Sequence, residues 1–425
     1  MEESEPGEGI LQVDLENAFN NADRNTFLTE TELHYPECLR WVFFCFGVVT
    51  ELVFGDIVIS SSTGLHQGDP LAGQIFAQNL QPVVERIQQV PTLKANVWFH
   101  DDGNIAGDKT DLKKAVRIIK EDGPARGLFL STSATVSPPT IPKSSVCYGK
   151  DPDPLQEGIP RVTESGIILL GSPIGDRAFT RKAIELKVEK IHDITFRLPL
   201  LEDAQTEFAL LRSCLSLPKM MYVLRTVDPT DFLVLSKEYN SITREALGQI
   251  IGTPPTDQQW SQAKLPVSLG GLGLRAAADH GPAAFSTSIL SSRPIVNNIL
   301  GTTEDEATAV VLPSALLQLL SSKTGEEETT ETLEAQTQKI VSRKIYVNNH
   351  GLLSSLLARQ GEQREVARMF SLGLPHAGTW LNVVPSPSLG LNLRSLEFTT
   401  LVKYRLGINL YPREGPCPAC SRQSN

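Results

Sequence analysis

The chain has 425 residues, of which 40% are hydrophobic and 21% are charged, so it contains enough apolar side chains for two or three domains with separate cores. Its formal net charge of −10 is unusual for a nucleic-acid-binding protein, because neutralising phosphates normally takes an excess of lysine and arginine. Its most apolar run, residues 41–49, is much shorter than the about 20 residues that cross a bilayer, so we expect no membrane partner.

The acidic charge is concentrated in two segments, residues 1–8 and 302–335, and the rest of the chain is close to neutral. The six cysteines are too widely spread for a disulfide framework, which predicts a reducing, intracellular compartment. No basic import-like cluster stands out, so the sequence leaves nucleus and cytoplasm open.

The first third of the chain alternates between strand-like and helix-like segments. Residues 1–9 are acidic and glycine-rich, which predicts disorder. A strand over Ile10–Val13 and an apolar helix over residues 40–53 are predicted, and VFGDIVISSSTG is typical of a hairpin. Asp69 and Pro70 are expected to be the cap and first residue of a helix. Its apolar positions recur with helical period at Ile75, Phe76, Leu80, Val83, Val84 and Ile87.

The next segments predict a compact layer of sheet and helices. The sequence VWFHDDGNIAG has two short apolar runs around Asp-Asp-Gly, which is typical of a tight hairpin. A helix over residues 111–120, a strand at GLFLSTS, a proline-rich loop over 136–160 and a second hairpin at GIILLGSPIG follow. This order indicates an α+β fold, an antiparallel sheet with helices on one face and with acidic residues at the strand ends along one rim.

The remainder is predicted to be mostly helical. Residues 177–300 form a helical domain that includes a glycine-rich turn at LPVSLGGLGLRAAADHG, and residues 301–338 form an acidic linker region that is either a surface linker or a polar helix. Residues 339–425 form a helical C-terminal region that ends on a partial Cys-x-x-Cys motif.

Three carboxylates follow short apolar runs that are far apart in the chain. Asp14 ends the first strand, and Asp101 and Asp102 lie at the turn of the predicted hairpin. Enzymes that transfer phosphoryl groups with two metal ions need several carboxylates around those ions, and Mg²⁺ prefers oxygen ligands. An Asp-Asp pair by itself is more often a turn, so the pattern alone leaves both interpretations open.

Five motifs of this chain, taken in order, resemble the motifs of a known protein family. DLENAF, GLHQGDPLA, FHDD, GLFLSTS and LLGSPIG occur in the order and approximate spacing of five successive palm motifs of reverse transcriptases, and they are most similar to the non-LTR retrotransposon type. The resemblance implies an RNA-directed DNA polymerase with a palm over residues 10–176 and a helical thumb over residues 177–300. It also implies two Mg²⁺ or Mn²⁺ ions, an RNA template, a DNA primer and deoxynucleoside triphosphates.

The resemblance assigns the metal ligands residue by residue. Asp14 and Asp101 correspond to the carboxylates that hold the catalytic metals, and Asp102 completes the acidic cluster. The backbone carbonyl of Leu15 corresponds to a further oxygen ligand.

The same comparison assigns the substrate contacts. Phe19 corresponds to an aromatic side chain that blocks the 2′ position of the sugar, although ordinary core packing is the alternative. Gln67 and Gly68 would line the nucleotide and template side of the pocket, where glycine permits close backbone approach. Leu170 and Gly171 lie at the centre of the hairpin that would grip the primer.

The sequence also departs from the family pattern. His100 replaces the usual small residue before the acidic pair, and Ala134 falls where the family usually has a lysine that protonates pyrophosphate, the nearest downstream lysine being Lys143. Only 13 residues precede Asp14, so the fingers are expected to be missing and the chain to be a truncated copy whose activity is in doubt. The alternatives are a catalytically decayed nucleic-acid-binding palm protein and an RNA-dependent RNA polymerase, and Phe19 argues against the latter.

The motif CPAC near the end of the sequence resembles half of a zinc site. Cys417 and Cys420 have the spacing at which two thiolates bind one Zn²⁺ ion, but zinc takes four ligands. The sequence therefore predicts either an incomplete zinc module or two surface thiols.

Overall fold

The computed structural model describes residues 8–131, 145–148, 159, 165–300 and 312–410. The chain divides into two compact units, which we call unit 1 (residues 1–180) and unit 2 (residues 181–425). Helices predominate and the strands form small antiparallel sheets, which confirms the mixed helix and strand composition. Within the described ranges, no helix has both the length and the hydropathy to span a membrane.

Unit 1 contains a four-stranded antiparallel sheet with the strand order β4-β5-β1-β6 and two separate hairpins, β2–β3 and β7–β8. The strands are β1 (Glu8–Asp14), β2 (Thr50–Phe54), β3 (Ile57–Ser61), β4 (Ala95–Phe99), β5 (Asp102–Asp108), β6 (Ser145–Tyr148), β7 (Gly166–Leu169) and β8 (Ser172–Gly175). The helices of unit 1 are α1 (Ala18–Asn21), α2 (Arg24–His34), α3 (Pro36–Phe46), α4 (Ala72–Gln88), α5 (Lys109–Asp122) and the start of α6 (Arg177–Thr195).

One face of the four-stranded sheet is covered by α4 and α5. Leu11 and Val13 of β1 and Ile105 of β5 are buried on this face, and they share one hydrophobic cluster with Leu112 and Val116 of α5. Since successive side chains of a strand point to opposite faces, the residues between them lie on the other face of the sheet. In the part of the chain that the structure describes, α4 and α5 therefore support the sheet from its core face.

Helix α4 confirms the predicted periodicity but not the predicted start. Ile75, Phe76, Leu80, Val83 and Ile87 are buried in the core. The helix begins at Ala72, and the carboxylate of Asp69 accepts a hydrogen bond of 2.8 Å from the backbone N–H of Leu71. Asp69 and Pro70 thus form a turn before the helix, because an aspartate closes such a turn with the same side-chain chemistry that it uses to cap a helix.

Other predicted boundaries also shift. The helix predicted over residues 40–53 is wrong beyond α3, which ends at Phe46, and β2 begins at Thr50, where β-branched residues favour a strand. Strand β1 begins at Glu8, two residues before the predicted start. In the described part of the strand predicted at GLFLSTS, only a single bridge forms, between Leu15 and Leu130. The three predicted hairpins, β2–β3, β4–β5 and β7–β8, are confirmed.

Unit 2 is helical, as predicted for residues 177–250 and for the segment after the glycine-rich turn. After α6, its helices are α7 (Ala204–Leu210), α8 (Leu217–Thr226), α9 (Pro229–Ile251), α10 (Asp257–Ala263), α11 (Ala277–Leu300), α12 (Ser314–Thr324), α13 (Thr330–Glu334), α14 (Gln338–Arg359), α15 (Gln363–Leu372) and α16 (Ser395–Arg405). A π-helical turn, Leu211–Leu215, joins α7 to α8.

The described part of the predicted acidic linker, residues 312–338, contains α12 and α13. Leu316 and Leu333 of these helices are buried in one cluster with Val341 of α14. Glu328 is also buried, and its carboxylate accepts a hydrogen bond of 2.9 Å from Lys344. The acidic composition of this segment is therefore compatible with packed structure because its buried acid is paired.

A buried histidine lies at the start of α11. His280 is 2% exposed and its ring lies 4.7 Å from that of Tyr346. Burial lowers the pKa of His280 to about 4, since the attraction of Asp279 is outweighed by burial and by three cations, Arg275, Lys264 and Lys323. The imidazole is therefore neutral in the folded chain at pH values where it is protonated in the unfolded chain.

We expect this histidine to make the stability of unit 2 depend on pH. The unfolded chain takes up a proton near pH 6.5, which the folded chain does not bind until about pH 4, so the free energy of unfolding decreases as the pH is lowered between these values. The loss between pH 7 and pH 5 amounts to about 2 kcal/mol. Urea unfolding of the wild type and of His280→Gln at pH 7 and at pH 5 measures this loss of free energy of unfolding. The wild type should lose about 2 kcal/mol more than the variant, and equal losses would contradict the prediction.

Candidate active site

The acidic corner is the place in unit 1 where the end of β1 meets the turn between β4 and β5. Asp14 is the last residue of β1, and Asp102, the first residue of β5, lies directly opposite it in the antiparallel register. Directly opposed residues in such a pair have Cα atoms about 4.5–5.5 Å apart, and their side chains lie on the same face. Since Leu11 and Val13 point into the core, Asp14 lies on the face away from α4 and α5.

The turn itself consists of His100 and Asp101. Phe99 pairs with Asp102, which leaves a two-residue connection, and His100 has a φ of 54°. A positive φ at the first of two turn residues is the pattern of a type II′ turn, which normally favours glycine. Asp102 is thus held between β4 and β1, and Asp101 projects from the turn beside it.

The glycine after the acidic pair has a packing role. A Cβ atom at Gly103 would lie 2.6 Å from the ring of Trp98, the residue opposite it on β4. The indole covers this position on the core face and donates a hydrogen bond of 2.8 Å from Nε1 to Asn96. The Asp-Asp-Gly sequence therefore combines a half-buried acid, Asp101, and an exposed acid, Asp102, with a glycine that lets the hairpin close over a tryptophan.

The face of the sheet that carries Asp14 is linked to the β7–β8 hairpin. Gln12, two residues before Asp14 and on the same face, donates a hydrogen bond of 2.9 Å to the carbonyl oxygen of Ile168 in β7. Leu170 and Gly171 form the hairpin turn, and both have positive φ, 46° and 83°. Two successive positive φ values are typical of a type I′ turn. The predicted primer-grip residues are therefore at the tip of a hairpin anchored to the sheet that holds the acidic corner.

The backbone around Leu15 is bound to the segment after α5. The N–H of Ser131 donates to the carbonyl of Asp14 at 2.9 Å, and the N–H of Glu16 donates to Phe129 at 2.7 Å. These bonds come from the neighbours of Leu15, so its own carbonyl is not used in this bridge. The Leu15 side chain is buried in the core.

Phe19 lies beside the turn. It belongs to α1, its ring stacks on Phe76 at 4.6 Å, and it lies 6.0 Å from the ring of His100. The His100 ring in turn rests over Gly73, where a Cβ atom would lie 3.0 Å from Cε1. Phe19 packs against the core and is half-buried, so its contact with Phe76 is core packing, whereas its role against a sugar stays a prediction.

Gln67 and Gly68 lie in an exposed loop before α4. Gly68 has a φ of 94°, and a Cβ atom there would meet open space, so the backbone conformation rather than crowding favours glycine. The N–H of Leu65 donates to the carbonyl of Phe19 at 2.7 Å, which places this loop next to α1. The two residues are thus near Phe19 in the fold although they are far from it in the sequence.

The sequence interpretation missed the residue that holds this loop. Arg24 of α2 is 7% exposed and its guanidinium donates to the carbonyls of Ser61, Thr63 and Gly64 at 2.8, 3.1 and 3.2 Å. Burial lowers the pKa of Arg24. No local pattern identifies it, because a single arginine in a polar helix normally faces solvent.

The donor chemistry of the acidic corner suits a hard cation, but the side chains do not form a closed cage. Asp14 and Asp101 are half-buried and Asp102 is exposed. Across the described ranges, no three histidine, cysteine, aspartate or glutamate side chains converge as a group able to hold a metal ion. The register brings the three carboxylates to one corner, and their use as metal ligands stays a prediction.

Several predicted positions lie outside the residues that the structure describes. They are Ala134 and Lys143 of the expected general-acid segment and Cys417 and Cys420 of the partial zinc motif.

The chain is partly similar to a known retroelement protein. No family model matches the chain. Over 286 residues, or 63% of its length, the chain is 23% identical to the Retrotransposable element SLACS 132 kDa protein of Trypanosoma brucei gambiense. The chain spans 22% of the length of that protein. The similarity supports a relation to retroelement proteins.

Proposed function

We propose that this chain carries the palm of an RNA-directed DNA polymerase of a retroelement. The observation that carries the proposal is the register of Asp14 opposite Asp102, next to the turn that presents Asp101. Two-metal nucleotidyl transfer requires carboxylates from different strands at one point, and this register supplies them on a sheet face that α4 and α5 do not cover. The partial similarity to a retrotransposon protein is consistent with this function.

In this proposal, the three aspartates have one shared task. Asp14 and Asp101 would hold two Mg²⁺ or Mn²⁺ ions, and Asp102 would add its charge to the corner. When bound, the ions offset the charge of the incoming triphosphate and lower the pKa of the primer 3′-hydroxyl. Leu15 follows Asp14 in the chain. Its carbonyl accepts neither of the two hydrogen bonds of the bridge to Leu130, which suits a further oxygen ligand.

The remaining residues would position the substrates. The sheet face with Gln12 and Asn104 is the surface for the end of an RNA template and DNA primer duplex, and the β7–β8 turn at Leu170 and Gly171 contacts the primer. Phe19, beside the turn, would exclude the 2′-hydroxyl of a ribonucleotide.

A second candidate function is nucleic-acid binding without catalysis. Two features of the sequence favour it, the alanine at position 134 in place of the expected lysine and the net charge of −10. General acid catalysis contributes typically about 10²–10⁴-fold, so its loss would slow the reaction strongly. The alternative of an RNA-dependent RNA polymerase is disfavoured by Phe19, the aromatic residue that the resemblance assigns to the sugar position.

Primer extension on poly(A)/oligo(dT) with Mg²⁺ or Mn²⁺ tests the proposal. We expect the wild type to incorporate dTTP and Asp101→Ala to be slower by at least about 10³-fold, because a metal ligand contributes several kcal/mol to the transition state. Asp56→Ala is the matched control, since Asp56 is an exposed turn aspartate of the β2–β3 hairpin, and this variant should retain wild-type activity.

The two candidate functions give different results in this assay. Equal incorporation by the wild type and Asp101→Ala would exclude catalysis at the acidic corner. If all three proteins also bind the primer and template duplex equally, binding without catalysis is the correct function. Incorporation of UTP in place of dTTP would instead identify an RNA polymerase.

A further inference from the structure

A cleft in unit 2 lies outside everything that the proposed polymerase site uses. It has a volume of about 730 Å³ and opens where the start of α8 faces the turn Val267–Leu269 and the glycine-rich segment after it. Its polar lining comes from Arg212, Arg275, Ser213, Ser216, Ser268 and Asn382.

The cleft contains two positive charges and no acid among the described residues that line it. Each guanidinium rests on an aromatic ring instead of a carboxylate. Cζ of Arg212 lies 5.8 Å from the ring centre of Phe208, and Cζ of Arg275 lies 6.0 Å from that of Tyr346. The cleft is therefore locally positive although the chain has a net charge of −10.

The acidic residue closest to Arg275 in the sequence is Asp279 of α11, and two lysines already offset its charge. Asp279 forms ion pairs of 3.1 Å with Lys264 and 2.9 Å with Lys323. Burial, and then the charge of Arg275, lower the pKa of Arg212. The two guanidinium groups therefore repel one another, and an anion between them would remove that repulsion.

The backbone around the cleft favours the same kind of ligand. Gly273 has a φ of 77°, and a Cβ atom there would lie 3.4 Å from Cδ of Arg212, so the stem of Arg212 lies against bare backbone. The hydroxyl of Ser216 donates to the carbonyl of Arg212 at 2.9 Å and does not cap α8, a helix of ten residues. The positive end of this helix therefore adds to the two arginines, because a helix N-terminus attracts negative charge.

A third guanidinium lies behind the wall of the cleft. Arg405 is 2% exposed and donates to the carbonyls of Val267, Gly271 and Ala377 at 2.7, 3.0 and 3.1 Å. Its partners are neutral, so its charge is not offset by an acid there. The Val267–Leu269 turn thus separates the cleft from a further positive charge.

We propose that this cleft binds a phosphate group, supplied either by a nucleic-acid backbone or by a free nucleotide. Two guanidinium forks can donate to several oxygens of one phosphate at once, and the hydroxyls of Ser213 and Ser268 and the amide of Asn382 add neutral donors. A planar carboxylate would engage only one fork, whereas a phosphate presents oxygens in several directions. The residues that line the cleft all belong to unit 2, whereas the three aspartates of the acidic corner belong to unit 1.

Binding measurements on the full chain distinguish the two sources of phosphate. Fluorescence anisotropy with labelled single-stranded oligo(U) measures the backbone, and calorimetry with sodium tripolyphosphate measures the free anion. We expect Arg212→Gln and Arg275→Gln each to weaken the binding of the preferred ligand by about tenfold, since a hydrogen-bonded charge contributes that much. If the ligand is the backbone, each substitution should also reduce the slope of log affinity against log salt by about one.

The matched control is Arg343→Gln, which makes the same charge change at an exposed position of α14 outside the cleft. It should change neither affinity nor salt slope by more than the modest effect of an exposed charge. Weaker oligo(U) binding with unchanged tripolyphosphate binding identifies a backbone phosphate, and the reverse identifies a free nucleotide. If the double variant binds both ligands as the Arg343→Gln control does, the proposal is wrong. Circular dichroism of the double variant verifies folding, and Arg212→Lys with Arg275→Lys replaces it should it not fold.

Discussion

Replacing Asp14 with asparagine should abolish primer extension without lowering the stability of unit 1. The loss of rate should be at least about 10³-fold, because an asparagine is neutral and binds a divalent cation more weakly than a carboxylate. Asp14 lies directly opposite Asp102, and an asparagine there removes the repulsion between the two carboxylates while it keeps the size and the hydrogen-bonding capacity of the side chain. Without divalent cation, the variant should therefore unfold at about the same free energy as the wild type.

The control for this prediction is an aspartate that we expect to support the fold and not the reaction. Asp23 caps α2 by accepting a hydrogen bond of 2.9 Å from the N–H of Thr26. Asp23→Ala should retain primer extension and lose about 1 kcal/mol of stability. Thermal unfolding in EDTA and primer extension in Mg²⁺ measure both properties. An active Asp14→Asn, or one destabilised as much as Asp23→Ala, would show that Asp14 supports the fold and not the reaction.

The hairpin at the acidic corner could be predicted from sequence because its signals are local. Two apolar runs flank Asp101 and Asp102, and Gly103 follows them, so the turn is evident from a few neighbouring residues. The approach of Asp14 to this hairpin is not local. It follows only from the resemblance, since no pattern within β1 specifies which strand it pairs with.

The errors at element ends have a physical reason. Asp69 was expected to cap α4, but its carboxylate closes a turn one step earlier, and the same side chain is suited to both. Residues 47–49 follow an apolar helix, and their hydrophobicity continues unchanged into β2. Hydropathy alone does not distinguish a buried helix from a strand over so short a run.

The positions of three arginines of unit 2 in the fold could not be predicted from the sequence. Arg212, Arg275 and Arg405 are single residues without a motif, and they lie in three different helices or connecting segments. Their partners come together only in the folded chain. The ring of Phe208 contacts Arg212 and the ring of Tyr346 contacts Arg275, while three backbone carbonyls surround Arg405. The fold thus creates a positively charged region within a chain whose composition is acidic.

Loss of the Arg405 side chain should be costly to the fold of unit 2. Burial, and then the charge of Arg368, lower the pKa of Arg405 to about 10, so it remains charged at neutral pH. Arg405→Leu would remove the donor of the buried carbonyl of Gly271 and of the partly buried carbonyl of Ala377, whereas the carbonyl of Val267 keeps the N–H of Gly270 at 3.2 Å. Since each unsatisfied buried group costs about 1–3 kcal/mol and part of the site can relax, we expect a loss of about 2–4 kcal/mol.

The same substitution at Arg394 is the control. Arg394 precedes α16, its side chain is 84% exposed, and it pairs with Glu397. An exposed pair contributes about 0.2–1 kcal/mol, so Arg394→Leu should cost no more than that. Urea unfolding monitored by far-UV circular dichroism measures the loss of free energy of unfolding in both variants. Arg405→Lys should fall between them, because a lysine keeps the charge but cannot donate to three divergent carbonyls as a guanidinium does. If Arg405→Leu is no less stable than Arg394→Leu, the carbonyls around Arg405 find other donors and the turn at Val267 does not depend on it.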